Sequence, residues 1–168
     1  MSRSKIIEIA GWQIGVKETP PNSNNNPYGL RYNVNLVAWC ALFVSWIYEQ
    51  ADHPLGHVDS ANPSLNGFAY VPTALNYWRT HNKITTDPKP GDLVIYDWQK
   101  GKANETAQEK LVDHVGIFVG WLDKNAGTFQ TIEGNTSVAN DSNGGSVMKR
   151  QRNLNFVEAF VNPLDLPV

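Results

Sequence analysis

The chain is almost free of cysteine: Cys40 stands alone among 168 residues. A single thiol excludes an internal disulfide and a multi-cysteine metal site, and it is compatible with either redox compartment. Long apolar runs are missing too, so no segment reaches the roughly 20 residues of a membrane-spanning helix. The opening Met1-Ser2-Arg3-Ser4-Lys5-Ile6 lacks the continuous apolar stretch of a signal peptide. The expectation is a chain made in the cytoplasm that needs another route to act elsewhere. There is no basic excess, with 14 Lys and Arg against 16 Asp and Glu and a net charge of -2. That balance excludes nucleic-acid binding through a basic face. Repeats are absent, and the only compositional bias is a short asparagine cluster near residue 24.

What is present suits a globular domain. Hydrophobic residues make up 41% of the chain and charged residues 18%, enough apolar matter to build one core. The length predicts a single domain over 1–168. Ser4 is positioned to cap a helix running to about Ile14, with Ile6, Ile9 and Ala10 on one side. Thr19–Pro27 is rich in Pro and Asn and reads as a loop. Ala41, Val44, Ile47, Tyr48 and Ala51 follow helical spacing, so a helix is expected over 40–51. Pro72 suits the first turn of another, continuing to about His81. Beyond Pro88-Lys89-Pro90-Gly91 the pattern becomes extended. Strands are expected at 92–96, 114–121, 128–133, 146–150 and 156–161, with no clear crossover helix between them. Helices followed by an antiparallel meander of about five strands give an α+β domain.

The 114–135 segment allows a geometric argument. With residues 122–127 as the loop and Trp121 paired to Thr128, Gly116 faces Glu133, and His114 faces Asn135 if the pairing persists that far. Opposed residues share a sheet face, so His114, Glu133 and Asn135 point the same way. The opposite face carries Val115, Ile117, Val119, Trp121 and Ile132. Phe118 and Phe129, on the polar face, are placed to pack under the Cys40 helix. A slip of one residue would turn one partner to the other face.

Cys40 opens its helix in Trp39-Cys40-Ala41-Leu42-Phe43-Val44-Ser45-Trp46. On residue type alone two readings stand: a small apolar core residue, or a nucleophile. The positive end of a helix dipole favours a thiolate.

The Cys40 block resembles the nucleophile helix of CHAP domains (cysteine, histidine-dependent amidohydrolase/peptidase). Pro90-Gly91-Asp92-Leu93-Val94, Asp113-His114-Val115-Gly116-Ile117 and Ile132-Glu133-Gly134-Asn135-Thr136 resemble the later blocks of that family, in the same order. Weaker similarity extends to Gly15–Pro20 and Phe160–Pro163. The resemblance implies a papain-like α+β fold. It also implies hydrolysis of bacterial peptidoglycan, as an N-acetylmuramoyl-L-alanine amidase or a stem or cross-bridge endopeptidase. Cys40 would then be the nucleophile and His114 the general base. Glu133 would orient the imidazole, and Asn135 would be a further polar member of the site. The backbone N–H of Cys40 is the expected oxyanion donor. Tyr28, Tyr32, Asn33 and Asn35 are upstream candidates for a second one.

Two features depart from the family pattern. Ala38 stands where proline often precedes Trp-Cys, and the polar excursion Gln99–Leu111 before His114 is long. Some CHAP domains bind calcium through an acidic loop ahead of the cysteine. Here residues 19–39 contain no Asp, so no metal and no cofactor is expected. The i, i+4 pair His53 and His57 is interrupted by Pro54 and Gly56 and reads as loop. Trp12, Trp39 and Trp46 are expected in the core, and Trp78 and Trp98 are open to glycan stacking. Asp92 is expected to serve its turn, and Asp113 alternates away from His114. The implied settings are a phage endolysin or a secreted antibacterial effector with an immunity partner, in either case a monomer without membrane insertion. The alternatives are an NlpC-like peptidase or acyltransferase acting elsewhere, or a non-catalytic wall- or partner-binding module.

Overall fold

The computed structural model describes residues 3–102, 111–141 and 143–163. Four helices come first: α1 (Arg3–Trp12), α2 (Pro27–Tyr32), α3 (Cys40–Gln50) and α4 (Val71–Thr80). The strands follow as β1 (Ile84–Thr85), β2 (Leu93–Tyr96), β3 (His114–Asp123), β4 (Thr128–Thr136), β5 (Ser146–Asn153) and β6 (Val157–Val161).

Helix α1 begins at Arg3, so Ser4 lies inside its first turn and is not the cap. The Arg3 side chain is buried and pairs with Asp92 at 2.5 Å, which binds the start of the helix to the start of β2. Asp92 also accepts the Lys89 N–H at 2.8 Å, closing the Pro90-Gly91 turn as its position suggested. Helix α2 went unrecognised, although its signals are local. Asn26 caps it by accepting from the Gly29 N–H, Pro27 fills the first turn, and Asn33 ends it in the left-handed conformation. Among the described residues no helix is long and apolar enough to cross a membrane.

The sheet order is β1-β6-β2-β3-β4-β5, and the pairings are antiparallel. The expected meander holds for β2 to β5, but β6 returns to lie beside β2. Six strands stand where about five were expected. The extra one, β1, has two residues, too few to show an alternation.

Both sheet faces are buried near the centre. Leu93, Ile95, Val115, Ile117, Ile132 and Val161 join the helices in the main core. Val94, Tyr96, Phe118, Phe129 and Phe160 form a second, aromatic cluster with Trp98 and Trp121. Strict alternation along β2 sends neighbours to opposite clusters. Phe118 and Phe129 therefore do not pack under α3; they lie on the sheet's other side.

The β3–β4 hairpin differs from the expected one at its tip. The pairing is Trp121 with Phe129 and Asp123 with Thr128, with irregularities after Phe118 and after Trp121. Each irregularity inserts a residue and resets the alternation. Trp121 consequently joins the aromatic cluster, not the helix-side face, and the loop shortens to 124–127. At the other end Ile117 pairs with Ile132, the register the sequence argument used. Gly116 consequently stands over Glu133: a Cβ there would lie 2.7 Å from Glu133 Cγ.

Candidate active site

Cys40 is the first residue of α3, with Trp39 before it as N-cap and no side chain bonding the helix end. The Cys40 backbone N–H and thiol therefore sit at the positive end of the helix. Trp39 is fixed behind it, its indole donating to Glu18 at 3.3 Å and stacking on Tyr28. Cys40 is 4% exposed and reaches a cleft of about 210 Å³ bordered by Ala38, Tyr70, Val71, Pro72, Val112 and Asp113.

His114 opens β3 opposite Tyr96 and is fully buried. Its Nε2 is 3.0 Å from Glu133 Oε2. Among the described residues Nδ1 has no hydrogen-bond partner. Burial by itself would lower the imidazole pKa. The influence of Cys40, followed by the hydrogen bond and charge of Glu133, outweighs burial and raises the pKa from 6.5 to about 9. Imidazole and carboxylate thus form one buried pair, and Cys40 shares a cleft with Asp113, the residue before His114.

Glu133 is also fully buried, and burial alone would raise its pKa. Hydrogen bonds from Arg152 and His114, with their charges, instead hold the carboxyl far below the usual range. Arg152 donates Nε to Oε1 at 2.9 Å and Nη2 to Oε2 at 2.6 Å. Tyr96 donates to Oε1 at 3.2 Å and Thr131 at 2.5 Å. Glycines make room for this packing. Gly116 clears space above Glu133, and a Cβ on Gly134 would lie 2.6 Å from Phe43 Cβ of α3, so β4 passes hard against the nucleophile helix.

Asn135 is buried, but its φ of 56° breaks the alternation that would have aimed it with Glu133. Its amide donates to Asn143 at 3.0 Å, and its oxygen accepts the Gly145 N–H at 3.2 Å. The structure brings His114 and Glu133 into contact, and puts Asn135 to work on the turn before β5.

Three of the upstream oxyanion candidates bond elsewhere through their side chains, and the fourth ends a helix. Tyr28 donates to Gln13, Tyr32 to Glu49, and Asn35 to Asn25; Asn33 is the left-handed end of α2. Arg152 was missed, because a lone arginine on an edge strand carries no sequence signal. Its link appears only when β5 pairs with β4 and sets it opposite Phe129, on Glu133's side of the sheet.

Of the tryptophans, Trp39 is buried and Trp46 packs partly against the core. Trp12 is 69% exposed, because it lies roughly 200° around α1 from Ala10. Trp78 is buried and has no face for a glycan; Trp98 stacks on Tyr96. His57 meets the Leu65 carbonyl across its loop. Asp113 accepts the Trp98 N–H and borders the Cys40 cleft. Residues 103–110 of the long excursion lie outside the described residues. Among the described residues no three His, Cys, Asp or Glu gather as a metal site.

No curated protein sequence matches this chain. Among solved structures, the wild-type endolysin LysIME-EF1 aligns over 98% of this chain and 65% of its own, with 15% identity and a TM-score of 0.47. The chain thus spans about two thirds of that protein's length. The family model of the CHAP domain matches residues 32–135, a segment running from just before Cys40 through His114 and Glu133 to Asn135. The chain belongs to the CHAP domain family, the cysteine, histidine-dependent amidohydrolases and peptidases.

Proposed function

We propose that this CHAP domain hydrolyses an amide bond of bacterial peptidoglycan, with Cys40 as nucleophile and His114 as general base and acid. The buried His114–Glu133 pair, with Cys40 and the residue before His114 lining one cleft, carries this reading. His114 Nδ1 takes the thiol proton, and the sulfur attacks the amide carbonyl in the cleft. The oxyanion would develop beside the Cys40 N–H at the start of α3. Imidazolium then protonates the leaving amine, and the C–N bond breaks to give an S-acyl enzyme. A water deprotonated by His114 attacks the thioester, releasing carboxylate product and thiol. Glu133 engages Nε2, which leaves Nδ1 for the thiol proton.

The scissile bond is either the muramoyl-L-alanine amide or a peptide bond of the stem or cross-bridge, in the setting of a phage lysin or a delivered antibacterial effector. Digestion of purified sacculi followed by mass spectrometry tests both the activity and the bond. New amino groups on L-Ala indicate an amidase; new termini within the peptides indicate an endopeptidase. Sacculi left intact by the wild-type chain would overturn the proposal.

A further inference from the structure

Glu133 is not held by His114 alone. A fully buried carboxylate is costly unless its charge is paired and its oxygens are satisfied. Arg152 does both in the two-pronged geometry that suits guanidinium to carboxylate. The arginine is itself fixed. Its Nη1 bonds Asp141 at 2.7 Å, and its guanidinium carbon lies 4.9 Å from the Trp98 ring centroid and 5.7 Å from that of Tyr96. Its side chain is 8% exposed, whereas that of Asp141 is 43% exposed. From the imidazolium to the surface the charges alternate: His114, Glu133, Arg152, Asp141.

We infer that Arg152 is a positioning residue for the thiol hydrolase site, acting through Glu133 by keeping that carboxylate ionised and turned toward His114. This inference rests on the proposed roles of Cys40 and His114. Among the described residues the groups that face the line are Cys40 on α3, Tyr96 on β2, Asp113 just before β3 and His114 on it, Thr131 and Glu133 on β4, and Arg152 on β5, with Asp141 and its second partner Arg150 behind it. Hydrogen bonding from Arg152 is the largest of the influences that lower the Glu133 pKa. Without the guanidinium the carboxylate would gain a proton at higher pH and release the imidazolium.

The single cysteine makes the test clean, because iodoacetamide labels only Cys40. The alkylation rate is followed against pH by mass spectrometry, and sacculus hydrolysis is assayed alongside. In Arg152→Met the acid limb of the alkylation profile should rise by about one pH unit or more, and hydrolysis should fall about 10- to 100-fold. Arg152→Lys keeps the charge but not the fork, so its acid limb should stay near wild type while hydrolysis falls. In a Glu133→Gln background, Arg152→Met should move the profile no further. An unshifted Arg152→Met profile, or a shift that survives in the Glu133→Gln background, would overturn the inference. If Arg152→Met does not fold, Arg152→Lys decides, and wild-type hydrolysis in that variant overturns it. Alkylation needs no wall substrate, so a wild-type chain that leaves sacculi intact defeats the proposed function while the Arg152 profile still reads its own question.

Discussion

Glu133 Oε2 lies 3.0 Å from His114 Nε2, and neither side chain is exposed to solvent. Two opposite charges in that setting hold each other in the ionised form, because water cannot screen them. The contact also fixes which imidazole nitrogen is free for the thiol. The chemistry at Cys40 therefore depends on a bond made on the far side of the ring.

The first consequence concerns pH. The His114 pKa stands at about 9 against the ordinary 6.5, and Cys40 is the first of the influences that raise it. Because the folded value is the higher one, the imidazolium's contribution to stability is complete below about 6.5 and is lost as pH rises through about 9. Histidine NMR should show one ring titrating near 9. In Cys40→Ala the same ring should titrate lower, since the influence of the sulfur is gone. An unchanged titration in that variant would detach His114 from the thiol. The variant should also abolish sacculus hydrolysis while keeping the wild-type circular dichroism spectrum, as Cys→Ala removes one atom from a helix start.

Glu133→Gln is a harsher change than its size suggests. It removes the charge facing His114 and leaves Arg152 buried with only Asp141 opposite. Loss of the residue that orients a catalytic histidine costs about 10²- to 10⁴-fold in rate. Breaking a buried ion pair from one side costs about 3–5 kcal/mol. Hydrolysis and thermal unfolding should therefore both fall, and the His114 pKa should fall with them. A variant with wild-type turnover would remove Glu133 from the mechanism.

Part of this site is legible in the chain itself. The pairing of Ile117 with Ile132 held as counted back from a Trp121–Thr128 pair. The tip did not, because the bulges after Phe118 and Trp121 obey no side-chain pattern and moved Trp121 to the aromatic face. Asn135 shows a different limit of alternation: a left-handed residue at a strand end re-aims its side chain, and Asn tolerates that conformation. Helix α2 was legible in Asn26, Pro27 and Asn33, yet its six residues are too few for a hydrophobic period. Arg152 lies beyond local reading altogether, since only the β4–β5 pairing brings it to Glu133.

Asn135 tests whether that left-handed turn or the chemistry holds the residue in place. Its two side-chain bonds end on Asn143 and Gly145. Asn135→Gly keeps the backbone conformation accessible and removes both bonds. The expected result is a loss of about 1–2 kcal/mol in unfolding stability, with the His114 titration in place and hydrolysis near wild type at temperatures below unfolding. A fall in turnover without loss of stability would return Asn135 to the reacting groups.

Gly116 offers the sharpest steric probe, because its missing side chain is what Glu133 occupies. A Cβ at that position would sit 2.7 Å from Glu133 Cγ and 3.4 Å from its Cδ and Oε1. Glu133 cannot yield easily, since Arg152, Tyr96, Thr131 and His114 hold its carboxylate. Gly116→Ala should therefore push the carboxylate off His114 or bend β3, at about 1–3 kcal/mol for overpacking. A displacement of about 1 Å at an orienting group costs on the order of 10²-fold in rate. The measurement is turnover on sacculi beside the thermal midpoint. At Gly120, where an added Cβ meets nothing within 4 Å, the same substitution should leave turnover intact. Equal turnover in the two variants would show that the space over Glu133 is not what holds the carboxylate on His114.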